Sequence, residues 1–185
     1  MHHQPNPADI DAILTTVLDA PAALRALPPF ADFDLDLQRQ VLDEAAKFVG
    51  QQIAPLQRVG DEVGCRFEAG TVTAPPGFRA AYQAFWQAGW PALASAPEHG
   101  GQGLPAVLEV VLYEMLSAAN HGWTMGPGIL HGAYDCLRHH GDETVRGLFL
   151  DKLATGEWLA TMCLTEPQAG SDLGLVRTRA QPLAG

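Results

Sequence analysis

Apolar residues recur at helical spacing through most of the chain. Ile10, Ile13, Leu14, Val17 and Leu18 predict a first helix. Asn6 can cap it, Pro7 suits its first position, and Asp9 favours its positive end. Pro21 lies just beyond it. The turn LPPFADFD leads into a second helix whose apolar face is Leu37, Val41, Leu42, Ala45, Phe48 and Val49, with Pro55 as its end or a kink. Next, Cys65–Glu68 and Thr71–Thr73 flank Ala69-Gly70, which predicts a short hairpin. A third helix is expected over 78–88, with Phe78, Ala81, Tyr82 and Phe85 inward and Gly89 as its stop.

A long loop, PALASAPEHGGQGLP, precedes a fourth helix over about 105–120. Val107, Leu108, Val110, Val111, Leu112, Met115 and Leu116 give it a wide apolar face, as expected of a buried central helix. A fifth helix runs over about 129–140 and stops at Gly141. A sixth opens at Asp142 and ends before Gly156. The pattern then changes. WLATMCL, 158–164, is a short apolar run that predicts a buried strand, and LVRTRA, 175–180, alternates and predicts another. The fold class read from this is mainly α, with a helical domain handing over to the start of a β-rich region. Two strands do not make an independent sheet. They either cap the helical domain or open a second domain that is cut short.

The chain has 185 residues, 47% hydrophobic and 17% charged, which is ordinary globular composition. A net charge of -10 disfavours nucleic-acid backbones and anionic membrane surfaces. No apolar run approaches the length of a membrane span. The opening MHHQPNPADID has no basic stretch followed by an apolar core, so no signal peptide is expected, and His2 and His3 read as a polar tail. Cys65, Cys136 and Cys163 form no CxxC. Neither a disulfide framework nor a zinc site is expected, and the chain reads as cytoplasmic.

The candidate chemistry is sparse. GGQG, 100–103, is not a dinucleotide fingerprint. It reads either as a flexible or tightly turned loop or as one that lets a ligand come close. His139 and His140 suit the negative end of a helix. His131 lies about two turns before His139, and no metal-ligand pattern is completed. Ser171 is outside any nucleophile elbow, and Ser171 and Asp172 read as turn or cap residues. Thr165-Glu166-Pro167 is more informative. Pro167 forces Glu166 towards an extended conformation, and Ala169-Gly170 permits a tight turn. A rigid loop results, with amides and the Thr165 and Ser171 hydroxyls able to face a polar ring edge or phosphate oxygens.

MCLTEPQAGSDLGLVRTRA resembles the signature of the acyl-CoA dehydrogenases, in Met162, Cys163, Leu164, Thr165-Glu166-Pro167, Gly170-Ser171-Asp172, Thr178 and Ala180. PEHGGQGLP resembles the family's loop between two N-terminal helices. The stretches RVGDEVGCRFEAGTVTAPPGF and GWPALASAPEHGGQGLP are similar to the subgroup that contains 3-methylmercaptopropionyl-CoA dehydrogenase. The resemblance implies an N-terminal extension over 1–33, the family's N-terminal helical domain over 34–157, and the start of its middle β-domain over 158–185. It implies FAD, an acyl-CoA substrate oxidised across its α,β C–C bond to an enoyl-CoA, electron-transfer flavoprotein as acceptor, and homo-oligomers at full length. Met162, Cys163, Leu164 and Thr165 would line the flavin. Gly170 and Ser171 would approach the FAD phosphates, and Ser171 also the CoA part of the substrate. Met162 departs from the aromatic residue often found there, which implies altered flavin packing. The family's catalytic glutamate lies beyond Gly185, so Glu166 is expected to be structural and this chain alone inactive. The alternative is an inactive truncated module that binds a partner or CoA.

Overall fold

The computed structural model describes residues 4–183, so His2 and His3 lie outside the described residues. The chain is mainly helical, as its periodicity predicts. α1, Pro7–Ala12, opens on Asn6, whose Oδ1 accepts from Ala8 N at 3.2 Å. It then widens into a π-helical turn, Ile13–Val17, in which Leu18 N donates to Ile13 O at 3.0 Å. That wider winding rotates the apolar stripe away from the core. Leu14 is buried and Ile10 packs against the core, but Ile13, Val17 and Leu18 are exposed, contrary to the predicted face. Asp19, at φ 47, breaks the helix, and Pro21 stands in the first turn of an unpredicted helix, α2, Ala20–Arg25.

α3, Leu35–Phe48, is capped by Asp34, whose Oδ1 accepts from Asp36 N at 2.9 Å. It runs on through a π-helical turn, Val49–Ile53, a 3-10 turn, Ala54–Leu56, and α4, Gln57–Val63. Pro55 is therefore a kink and not an end. Asp11 ties α1 to α3, accepting from Gln38 Nε2 at 2.8 Å and from Arg39 Nε at 3.2 Å. The predicted hairpin is present: β1, Arg66–Glu68, pairs antiparallel with β2, Thr71–Thr73, and Phe67 stands opposite Val72. Ala69 at φ 48 and Gly70 at φ 79 supply the left-handed pair that a two-residue hairpin turn requires.

α5, Phe78–Gln87, buries Ala81 and Phe85. α6, Ala106–Thr124, is the central helix, with Leu108, Leu112, Met115 and Leu116 at 2% exposure or less. Val110, expected on its inner face, is exposed. Asn120 (φ -161, ψ 83) interrupts the helix, and its Oδ1 recaps the last turn by accepting from Trp123 N at 3.0 Å. Phe85 sits at the centre of this core, its ring 5.4 Å edge-on from that of Trp123 and 6.0 Å from that of Phe48.

α7, Leu130–His140, and α8, Glu143–Thr155, form a hairpin with a separate small core: Leu130, Tyr134, Leu150, Leu153 and Ala154. Asp142 caps α8 by accepting from Val145 N at 2.8 Å, and Gly156 ends it at φ 78. His139 and His140 do occupy the last turn of α7. The two predicted strands do not form. Residues 158–164 run unpaired, with Trp158, Leu159, Met162 and Leu164 exposed, and 173–175 turn as a short 3-10 helix. An apolar run becomes a buried strand only when a neighbouring strand satisfies its amides and covers its face. No such neighbour lies alongside among the described residues.

Candidate functional site

The PEHGGQG loop is the frame on which the α7–α8 hairpin rests. Gln102 N donates to Ala92 O at 2.8 Å, Gly103 N to Ser95 O at 3.0 Å, and Leu104 N to Leu93 O at 2.8 Å, so the loop doubles back on itself. A Cβ on Gly101 would stand 1.9 Å from Ser95 O. The small residue admits the chain's own backbone, and the loop is tightly turned. Its outer edge meets the hairpin. Tyr134 Oη accepts from Ala96 N at 3.3 Å, and His99 Nδ1 lies 2.9 Å from Asp151 Oδ1. Tyr82 Oη donates to Gly156 O at 2.6 Å, and partial burial pushes that phenol up to about 12.

Between the hairpin and residues 158–162 lies an apolar cleft of about 550 Å³. Gly132, Ala133 and Cys136 of α7, Phe149 of α8, and Leu159 and Met162 form its walls. Phe149 and Trp158 meet edge-on at one side, their centroids 5.9 Å apart. Small residues on α7 leave the space, and aromatic and aliphatic residues opposite make it water-repelling. Along the cleft's edge the backbone of 159–165 has no hydrogen-bond partner among the described residues, the flanking bonds being Trp158 N to Lys152 O at 3.1 Å and Glu166 N to Ala169 O at 2.9 Å. A row of free amides and carbonyls beside an apolar slot suits a flat, largely apolar ring with a polar rim.

The loop that follows is locked. Glu166 and Ala169 bond each other's backbones, at 2.9 and 3.1 Å, and Ala169 is 1% exposed. The Glu166 carboxylate accepts from the Thr178 hydroxyl, from Arg177 N at 3.0 Å, from Thr178 N at 2.8 Å and from the Gln168 side chain. The Thr178 hydroxyl, followed by the two backbone amides, holds this carboxyl down to about 2. Asp172 caps the next turn, its Oδ1 accepting from Gly174 N at 3.0 Å. Both acids of the loop are thus engaged with local backbone. The hydroxyls of Thr165 and Ser171 are exposed and have no hydrogen-bond partner among the described residues.

The structure brings Met162 to the cleft and sets Cys163, Leu164 and Thr165 in the unpaired segment beyond it. Gly170 and Ser171 lie past the locked turn, on the exposed side of the loop. Sequence reasoning missed the cleft wall on α7. It also missed a polar cluster behind that wall, in which His131 meets Glu109 of α6. These residues are far apart in sequence and belong to no motif. The one available signal was a glutamate inside an otherwise apolar helix face.

Residues 36–157 match the family model described as acyl-CoA dehydrogenase, N-terminal domain. The 3-methylmercaptopropionyl-CoA dehydrogenase of Ruegeria pomeroyi is 42% identical over 86% of this chain and 27% of its own length. A butyryl-CoA dehydrogenase of Syntrophomonas wolfei is 34% identical over 76% of this chain and 23% of its own. The broad-specificity linear acyl-CoA dehydrogenase FadE5 of Mycobacterium tuberculosis is 31% identical over 97% and 29%. The chain thus spans about a quarter of the length of these relatives. Among solved structures, an acyl-CoA dehydrogenase of Bacillus anthracis complexed with FAD matches with a TM-score of 0.54 at 25% identity, over 77% of this chain and 22% of that one. An electron transferring flavoprotein structure of Acidaminococcus fermentans shares the fold, with a TM-score of 0.60 at 23% identity, over 75% of this chain and 34% of that one. With a family model covering most of its length and relatives above 30% identity, the chain belongs to the acyl-CoA dehydrogenase family.

Proposed function

We propose that this chain is the N-terminal portion of an FAD-dependent acyl-CoA dehydrogenase that oxidises the α,β C–C bond of an acyl-CoA to an enoyl-CoA in the cytoplasm. 3-Methylmercaptopropionyl-CoA is the substrate its similarity favours. The observation that carries the reading is the unpaired segment 159–165 beside the apolar cleft, followed by the locked Glu166 loop. FAD, when bound, supplies the hydride-accepting chemistry. Met162 and Cys163 would cover its ring, and the backbone at Leu164 and Thr165 would meet the ring's polar edge. Gly170 and the Ser171 hydroxyl would stand at its phosphates, Ser171 also at the CoA of the substrate. Residues 1–33 are an extension, 34–157 the helical domain and 158–185 the threshold of the β-domain. The electron acceptor is an electron-transfer flavoprotein, and the full enzyme is a homo-oligomer.

Glu166 is not the base. Four donors already hold its carboxylate, and their removal would open the loop. The family resemblance assigns the proton acceptor to a part of the enzyme outside this chain, and the chain alone is expected to be inactive. A chimera tests the reading. Residues 1–180 replace the matching part of the S. wolfei butyryl-CoA dehydrogenase. The product should purify yellow, and butyryl-CoA should bleach its flavin. A folded, colourless chimera would refute the flavin assignment. Turnover by the isolated chain at roughly 1–1,000 per second, with FAD and an artificial acceptor, would refute its inactivity.

A further inference from the structure

α7 lies against α6 through one polar cluster. His131 Nδ1 is 3.1 Å from Glu109 Oε1, and His131 Nε2 is 3.2 Å from Asp135 Oδ2, one turn along α7. Glu109 is 7% exposed, and its Oε1 is buried with no in-line hydrogen-bond donor, so the imidazole meets it off the N–H axis, as an ion pair when His131 is protonated. A buried carboxylate that lacks such a donor is costly unless a countercharge stands beside it. Among the described residues no lysine or arginine pairs with Glu109. The positive charge on His131 is then the compensation. The other groups around the imidazole do not substitute for it. Tyr113 of α6 donates to Pro127 O at 3.1 Å, and burial, with Glu109 adding to it, keeps its phenol protonated. The Tyr134 ring, 6.2 Å away, is engaged with Ala96 N and stands 5.9 Å from the ring of His99, itself paired with Asp151.

We propose that His131 is a proton-operated latch: in its charged form it pins α7 to α6 and so holds one wall of the apolar cleft in place. Gly132, Ala133 and Cys136, next to it on α7, form that wall. The contact with Glu109, first, and that with Asp135 raise the His131 pKa above its ordinary 6.5, against the opposing effect of burial. For a group raised on folding, the stabilisation is fully present below the ordinary value and is lost as pH rises through the raised one. The cleft wall is therefore firm in mild acid and loosens towards alkaline pH.

Hydrogen exchange of the α7 amides, corrected for the intrinsic pH dependence, tests this alongside an NMR titration of the His131 ring. Protection of α7 should fall with rising pH, by up to about tenfold per pH unit across the titration, while α3 and α5 stay unchanged. Glu109→Gln, which keeps the shape and removes the charge, should flatten the α7 profile and lower the His131 pKa, with Asp135 left as the remaining acidic neighbour. His131→Gln should flatten it as well. An α7 profile that keeps its slope in the folded Glu109→Gln protein would overturn the latch. So would a wild-type His131 that titrates at or below its ordinary value, a result that needs no variant.

Discussion

In the α3–α6 core, Val49, Ile53, Phe85 and Leu116 reach 0% exposure, and the structure is closed mainly by apolar contact. The α7–α8 hairpin buries fewer side chains and is joined to that core largely through polar atoms: Tyr134 to Ala96, His99 to Asp151, Tyr82 to Gly156 and His131 to Glu109. Apolar burial is indifferent to pH and falls off only as area is lost. Ion pairs and hydrogen bonds at partly exposed sites add little stability individually and respond to protons and salt. The cleft is built against the second kind of region. The difference suggests that its geometry adjusts while the core stays fixed.

Substitutions in the core and in the hairpin's polar joints should separate the two regions. Phe85→Ala should cost about 3–5 kcal/mol, since the ring is fully enclosed, and should lower stability in a denaturant titration of the whole chain. Gly101→Ala forces a Cβ onto Ser95 O and should cost roughly 1–3 kcal/mol, with the α7–α8 amides losing protection before those of α5. Tyr134→Phe removes the acceptor for Ala96 N. It should cost about 1 kcal/mol and weaken the hairpin's docking, leaving the α3–α6 core intact by the same exchange experiment. The smallest effect is local. Glu166, depressed on folding from 4.5 to about 2, should hold its loop closed at neutral pH. That contribution should begin to fade below the ordinary carboxyl value and vanish near the depressed one, seen as exchange of the Arg177 and Thr178 amides in acid.

Much of this was legible in the sequence. Most of the apolar faces of α3, α5 and α6 follow from spacing, because a helix packed on one side must repeat with its own period; Leu37 and Val110, expected on those faces, are exposed. The hairpin follows from Ala69-Gly70, and the structural role of Glu166 from its place in the signature. The π-helical turns were not legible, since one extra residue per turn leaves no mark on composition, and it moved Ile13, Val17 and Leu18 outward. Nor was the unpaired state of 158–164, because a strand depends on a partner and not on its own residues. The Glu109–His131 contact joins two helices through a turn whose geometry the sequence does not encode in any short pattern.

The most direct measurement is native-state hydrogen exchange under increasing denaturant, followed amide by amide. The α7–α8 amides should open together in a partial unfolding of lower free energy than the opening of α3, α5 and α6, which should require global unfolding. If both regions exchange only through one shared global opening, the two are a single cooperative unit, and the account of a fixed core carrying a separately held cleft wall is wrong.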